Sequence, residues 1–179
     1  MLAVTRSPLG LKKASELLPL AATLTPAQSD DALELDELWS FVLRRKDKRW
    51  VWLAQCRRTR QIVAYALGSR GEEACRLLWQ SVPCAYKVGL LYTDFWAAYA
   101  EVLPEAQHRA TGKGAGQTCH IECFNNILRQ RLARFVRKTL SFSKTEEMHD
   151  TCLRLFLHEY NKEKDGQPTR HQPKRLRLI

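Results

Sequence analysis

The chain predicts one mixed α/β domain: a mixed sheet, three antiparallel strands then parallel strands, flanked by helices. Three observations predict it. Segments 33–42, 49–56 and 61–68 are rich in aromatic and β-branched residues, with short polar turns between them, as in an antiparallel meander. "KVGLLYTD" (87–94) is almost continuously apolar, the mark of a strand buried on both faces of a parallel sheet. Segments of helical spacing follow the strands, and strands alternating with helices give an α/β layer structure. With 179 residues, 45% of them hydrophobic, the chain suits one domain with a real core.

Residues 1–32 read as a leader and linker: "LKKASELLPL" (11–20) suits a short helix, and the Pro-, Ala- and Thr-rich stretch after it a linker. The domain is expected over 33–162. In the first strand Leu33, Leu35, Trp39 and Phe41 share one face, while Asp36, Leu38, Ser40 and Val42 share the other. "RGEEACRLLWQSV" (70–82) has helical spacing with acids in its first turn. After the apolar strand, which ends in Asp94, "FWAAYAEVL" (95–103) reads as a helix stopped by Pro104. A weak strand near 106–111 and the Gly-rich loop "GKGAG" come next; no Lys-Ser/Thr pair follows that loop, so it is a poor phosphate loop.

"TCHIECFNNILRQRLARFVRKTLSFSK" (118–144) then places Ile121, Phe124, Leu128, Leu132 and Phe135 on one helical stripe. Glu122, Asn126 and Arg129 fall together on a flank of it. A last helix over about 144–162 carries Met148, Cys152, Leu155 and Phe156, and 163–179 forms a basic tail.

Charge is unevenly spread. Residues 44–60 hold eight bases against Asp47, and 129–144 hold six bases and no acid, so the two segments carry +13 of a net +10. The rest is slightly acidic. Clustered positive charge is the footprint of a polyanion. Six scattered cysteines lack a C-x-x-C pair, so free thiols and a cytoplasmic location are expected; Cys119, His120 and Cys123 lack a fourth ligand at zinc spacing. No apolar run approaches the length of a membrane-spanning helix.

Three acids occupy special places: Asp36 within an apolar strand, Asp94 at the end of the buried strand, and Glu122 near a helix start. Each has an ordinary reading as an ion-paired residue, an N-cap or a helix-dipole partner. Beside two basic clusters they also suit metal-dependent phosphodiester chemistry, because two Mg²⁺ ions about 4 Å apart offset buried carboxylates and polarise phosphate.

"LELDELWSFV", "YTDFWAAY" and "HIECFNNILRQRLARFVRKTLSFSK", with "CRRTRQIVAYALGSR" and "TEEMHD", resemble the transposase of the insertion sequence 1 family, over about residues 33–160. The resemblance implies a ribonuclease H-like fold and a DDE triad of metal ligands falling on Asp36, Asp94 and Glu122, spaced 58 and 28 apart. It implies two Mg²⁺ ions, with Mn²⁺ as the alternative, hydrolysis at the ends of the element, and direct attack of the freed 3′-OH on target DNA. Double-stranded DNA at transposon ends and target, a homo-oligomer on that DNA and association with the prokaryotic nucleoid are the implied setting. Asn126, Arg129, Arg134, Arg137, Lys138 and Lys144 are expected to contact DNA, Arg129 most of all.

The sequence departs from the family pattern at Cys123, where arginine is common, and in lacking the N-terminal zinc-binding and helix-turn-helix region that family members often join by frameshifting. It therefore reads as the catalytic half. Two other functions fit the same residues: a ribonuclease H-like nuclease acting on other substrates, and a non-catalytic DNA-binding remnant that inhibits transposition.

Overall fold

The computed structural model describes residues 16–165; the first half of the helix expected at 11–20, and the basic tail beyond 165, lie outside them. Strand β1 (Leu33–Phe41) sits at the centre of a five-stranded sheet ordered β3-β2-β1-β4-β5. β2 (Lys48–Cys56) and β3 (Ile62–Gly68) continue from it antiparallel, as the meander pattern requires. β4 (Leu91–Thr93) and β5 (His108–Ala110) lie parallel on its other side. Antiparallel strands on one side and parallel ones on the other, with helices on both faces, make a ribonuclease H-like mixed sheet.

The period of two along β1 sorts the core into two layers. Leu33 and Leu35 pack with Trp52, Ala54, Leu78 and Tyr99 beneath helices α1 (Glu72–Ser81) and α2 (Ala97–Val102). Leu38 packs instead with Ile121, Phe124, Leu128, Leu153 and Leu157, beneath α3 (Cys119–Arg131) and α4 (Glu146–Lys164). Thr145 caps α4, its hydroxyl accepting from the Met148 N–H. Near the far end of α4, the Asn161 side chain accepts from the Ile62 N–H at 2.8 Å and donates to the Ile62 carbonyl at 2.9 Å, capping the first residue of edge strand β3. The segment before β1 is folded onto the body: Gln61 accepts from Thr25 N and donates to Thr23 O, and Arg58 pairs with buried Asp31.

Two expected elements are shorter than the sequence pattern. The apolar run 87–94 yields a strand only over Leu91–Thr93, leaving Val88 63% exposed. Gly89 explains the change: a Cβ there would lie 1.7 Å from the Asp31 carbonyl oxygen, so the chain passes against the entry to β1 before it can join the sheet. The stripe through Phe135 is likewise not one helix. α3 ends at Arg131, and a single 3-10 turn, Ala133–Phe135, swings Phe135 into the core, where its ring stacks on His149 at 4.3 Å.

His149 is buried, with Ser40 Oγ at 2.7 Å from Nε2 and Ser143 Oγ at 3.0 Å from Nδ1. Burial, against an opposing pull from Glu146 and with smaller help from Arg134 and Arg49, pushes its pKa down to about 4. The unfolded chain takes up this proton near pH 6.5, the folded chain only near 4, so the stabilisation is complete above 6.5 and lost as pH falls through that window. Urea unfolding at pH 7 and pH 5 should show the wild type losing about 2 kcal/mol more than His149→Asn between the two. Equal losses would mean that His149 is charged in the fold. Gly89→Ala should cost at least about 2 kcal/mol by the same assay, since the obstructing atom is backbone.

Candidate active site

Register brings two of the three acids together. Glu34 pairs with Tyr92 across the parallel β1–β4 ladder, so two residues on from that pair Asp36 comes level with Asp94, close enough for the two charges to repel. Asp94 lies just past the end of β4, where one of its oxygens accepts from the Trp96 N–H at 2.9 Å in a turn that leads into α2.

Glu122 arrives on α3, and a different acid decides where that helix sits. Glu34, fully buried two residues before Asp36, accepts from the backbone N–H groups of His120 (2.9 Å) and Ile121 (3.0 Å) at the start of α3. Its other oxygen meets Arg57 Nε at 2.8 Å and His120 Nδ1 at 2.5 Å. A carboxylate at a helix N-terminus satisfies orphan N–H donors and the helix dipole together. The helix so docked carries Glu122 in its first turn and, one turn on, Asn125, whose amide donates to Asp36 Oδ2 at 2.7 Å.

The electrostatics show that the three acids share one region. Burial and the nearby carboxylates of Glu37, Asp94 and Glu122 push the Asp36 carboxyl up to about 7. Among the described residues Asp36 is paired with no base, whereas its neighbours on β1 are. Glu37, on the opposite face, accepts from Arg70 at 2.7 and 2.9 Å and from the Tyr99 hydroxyl at 2.9 Å. The Arg70 guanidinium in turn lies over the rings of Trp50 (4.6 Å) and Trp96 (3.9 Å).

Charge and donor type suit a hard divalent cation: the three acids offer only oxygens, and the buried Asn125 Oδ1 beside Asp36 has no hydrogen-bond partner. Closure is missing. Among the described residues, no group of three His, Cys, Asp or Glu side chains is arranged to hold a metal ion. Glu122 instead accepts from the Thr118 hydroxyl at 2.9 Å, and joining a shared cation means giving that bond up. The residues fit a cation in kind, with one side chain turned aside. Cys119 and Cys123 are exposed on the same helix.

The expected DNA contacts separate into two kinds. Asn126, Arg137, Lys138 and Lys144 are exposed. Arg129 is half-buried, donating to the carbonyls of Phe135 (2.7 Å) and Trp39 (3.3 Å), and Arg134 donates to Phe142 O at 3.1 Å. Arg129 thus clasps the turn after α3 to β1, a task that the charge count did not reveal. Arg131 pairs with Glu163 on α4. A hollow lined by Val42, Arg49, Leu67, Gly68, Glu146 and His149 contains none of the three acids.

A ribonuclease H-like mixed sheet, with acids on β1, just past the end of β4 and on α3, is the fold class of the chain. Comparison with known proteins narrows it. The family model described as IS1 transposase matches residues 32–162. Protein InsB of insertion element iso-IS1n from Shigella dysenteriae is 36% identical over 127 residues, covering 71% of this chain and 94% of that protein. InsB of IS1 from Shigella flexneri is 36% identical over 124 residues (69% and 92%), and InsB of IS1 4 from Escherichia coli K12 is 35% identical over 124 (69% and 72%). The chain belongs to the IS1 transposase family. A transposase role follows, with DNA as the implied partner, and among the described residues no helix is long and apolar enough to cross a membrane.

The acids on β1 should separate by sign when replaced. Glu34→Gln removes the anchor of α3 and unpairs Arg57, and should cost about 2–4 kcal/mol in urea unfolding at pH 8 without divalent ions. Asp36→Asn relieves burial and like-charge repulsion and should stabilise by about 1–2 kcal/mol under those conditions. A loss at Asp36 equal to that at Glu34 would make Asp36 another structural acid.

Proposed function

We propose that this chain is the catalytic domain of a DDE transposase, which cuts DNA at transposon ends and joins the freed strand to target DNA. The single observation that supports it best is the raised Asp36 carboxyl, near Asp94 and Glu122 and, among the described residues, paired with no base, while Glu34 and Glu37 each have an arginine partner. Asp36, Asp94 and Glu122 are the residues that would hold two Mg²⁺ ions, or Mn²⁺ in their place. When bound, such ions polarise a phosphoryl oxygen and neutralise the charge that builds up in an in-line displacement.

The protein's own work is positioning. β1 carries Asp36 and the turn just past β4 carries Asp94, so two of the carboxylates are set by the sheet before substrate arrives. Asn125 orients Asp36 through its amide. Glu34 sets the helix that carries Glu122. In the first step water adds to the phosphorus and the P–O3′ bond breaks, leaving a 5′-phosphate and a 3′-OH that takes up the proton. In the second, that 3′-OH attacks a target phosphorus and the target's own 3′ oxygen leaves. Neither step forms a bond to the protein. Asn126, Arg137, Lys138 and Lys144 would hold phosphates along the way, sequence-independently, with Arg129 and Arg134 bracing the segment that presents them. Synapsis of two ends calls for a homo-oligomer on the DNA.

Glu122's bond to Thr118 favours a second reading, DNA binding without cleavage. One assay separates them. Incubated with terminal-repeat duplex and Mg²⁺, with and without an upstream DNA-recognition region, the chain should give nicks ending in 3′-OH and joined products. Asp36→Asn, Asp94→Asn and Glu122→Gln should each lower cleavage at least about a hundredfold while duplex affinity holds or rises. Binding with no cleavage in any format supports the second reading, and cleavage of RNA–DNA hybrid alone would point to a different nuclease.

A further inference from the structure

The bases at the turn between β1 and β2 take no part in the acid site, yet the backbone holds them in a defined place. Arg44, Arg45 and Lys46 are exposed, and among the described residues none of them is in an ion pair. Leu43, which starts the turn, has φ of +61°, a left-handed conformation unfavourable for a bulky L-residue. Its strain is held by a second segment: Leu43 N–H donates to the Ser143 carbonyl at 2.8 Å, and Val42 bridges Ser143 in parallel. Ser143 closes the basic stretch that follows α3, so the two basic clusters of the sequence are latched side by side.

A second contact ties them. Lys48 Nζ lies 5.3 Å from the centroid of the Trp39 ring and the Arg137 guanidinium 5.5 Å from it, one cation from each cluster on a single indole. The Trp39 carbonyl accepts from Arg129, and Arg129 belongs to the helix whose Asn125 holds Asp36. A continuous path of strand and hydrogen bonds thus runs from the acids to the turn. At about 3.3 Å per strand residue, the six steps from Asp36 to Val42 span roughly 20 Å, about six base pairs of duplex at roughly 3.4 Å each.

We propose that Arg44, Arg45, Lys46 and Lys48, latched to Arg137, Lys138 and Lys144, form one platform for the phosphates of duplex DNA about half a helical turn from the bond that is cut. The proposal rests on the reading of the three acids as the cleavage site, which sets the direction of the DNA. Duplex DNA is favoured over an anionic lipid surface because the platform is built from a turn and a loop fixed to the sheet, with no amphipathic helix to lie in a bilayer. Its contacts are to the backbone and carry no base preference.

The test removes Arg44, Arg45 and Lys46 together as alanines in an Asp36→Asn background, so that binding is read without turnover. Anisotropy of a labelled duplex across a salt series should give a slope of log affinity against log salt shallower by about 2–3, alike for terminal-repeat and unrelated sequences. A hydroxyl-radical footprint should shorten by about half a turn, on one side of the cleavage position only. Because these side chains are exposed, the unfolding midpoint should not move. An unchanged slope and footprint would overturn the platform, as would loss of binding to phosphatidylserine vesicles with DNA binding intact. Cleavage by the Asp36→Asn protein would instead sink the assignment of the acids, and the binding slope would still judge the platform.

Discussion

Glu34 is the pin on which the arrangement turns. A fully buried carboxylate is costly unless its charge and lone pairs are met, and here two backbone N–H groups, a guanidinium and an imidazole meet them. Burial still leaves its pKa above the ordinary value, so the contacts only offset the cost of desolvation. What they achieve is placement. Arg57 reaches from beyond β2 to Glu34 on β1, its guanidinium lying 3.7 Å from the ring centroid of Tyr92 on β4 and meeting the side chain of Gln117 just before α3. One cluster therefore ties the central strands and the helix whose mutual position decides whether Asp36, Asp94 and Glu122 can work together.

Glu34 and Glu37 show how a strand can carry three acids within four residues. Glu34 faces α3 and is neutralised by Arg57; Glu37 faces α2 and is neutralised by Arg70 and Tyr99. Asp36 meets the Asn125 amide and the Glu37 backbone, and its carboxyl rises to about 7 through burial and like charges. Such uncompensated charge lowers stability and survives where function uses it. The outward-facing bases follow the same division: Arg129, Arg131 and Arg134 brace carbonyls or a carboxylate, whereas Arg44, Arg45, Lys46, Lys138 and Lys144 are left to solvent.

The meander, the strand–helix order and the two faces of β1 could be read from the sequence because they depend on local alternation and turns. Asp36 and Asp94 stood out for a related reason: a charge inside or at the end of an apolar strand breaks the pattern. The anchors did not stand out, since the partners of Glu34 lie 86 and 87 positions away and nothing local marks them. The place of Glu34 on β1, with a base-rich turn whose Arg57 lies 23 residues on, was the one available signal. The overlong β4 has a comparable origin, because hydrophobicity cannot report that Gly89 presses on the Asp31 carbonyl. The stripe through Phe135 was real as burial and misleading as helix: its last member reaches the core by a 3-10 turn, braced by Arg129.

Convergence of the three acids on one cation site is the central claim, and Mn²⁺ binding followed by electron paramagnetic resonance tests it without DNA or turnover. Loss of even an outer-shell partner weakens metal binding by about ten- to a hundredfold. Asp36→Asn, Asp94→Asn and Glu122→Gln should therefore each weaken binding at least about tenfold, while Glu101→Gln, an exposed acid of α2, should not. Wild-type affinity in Glu122→Gln would contradict the account, leaving Glu122 as a helix-start acid bound to Thr118.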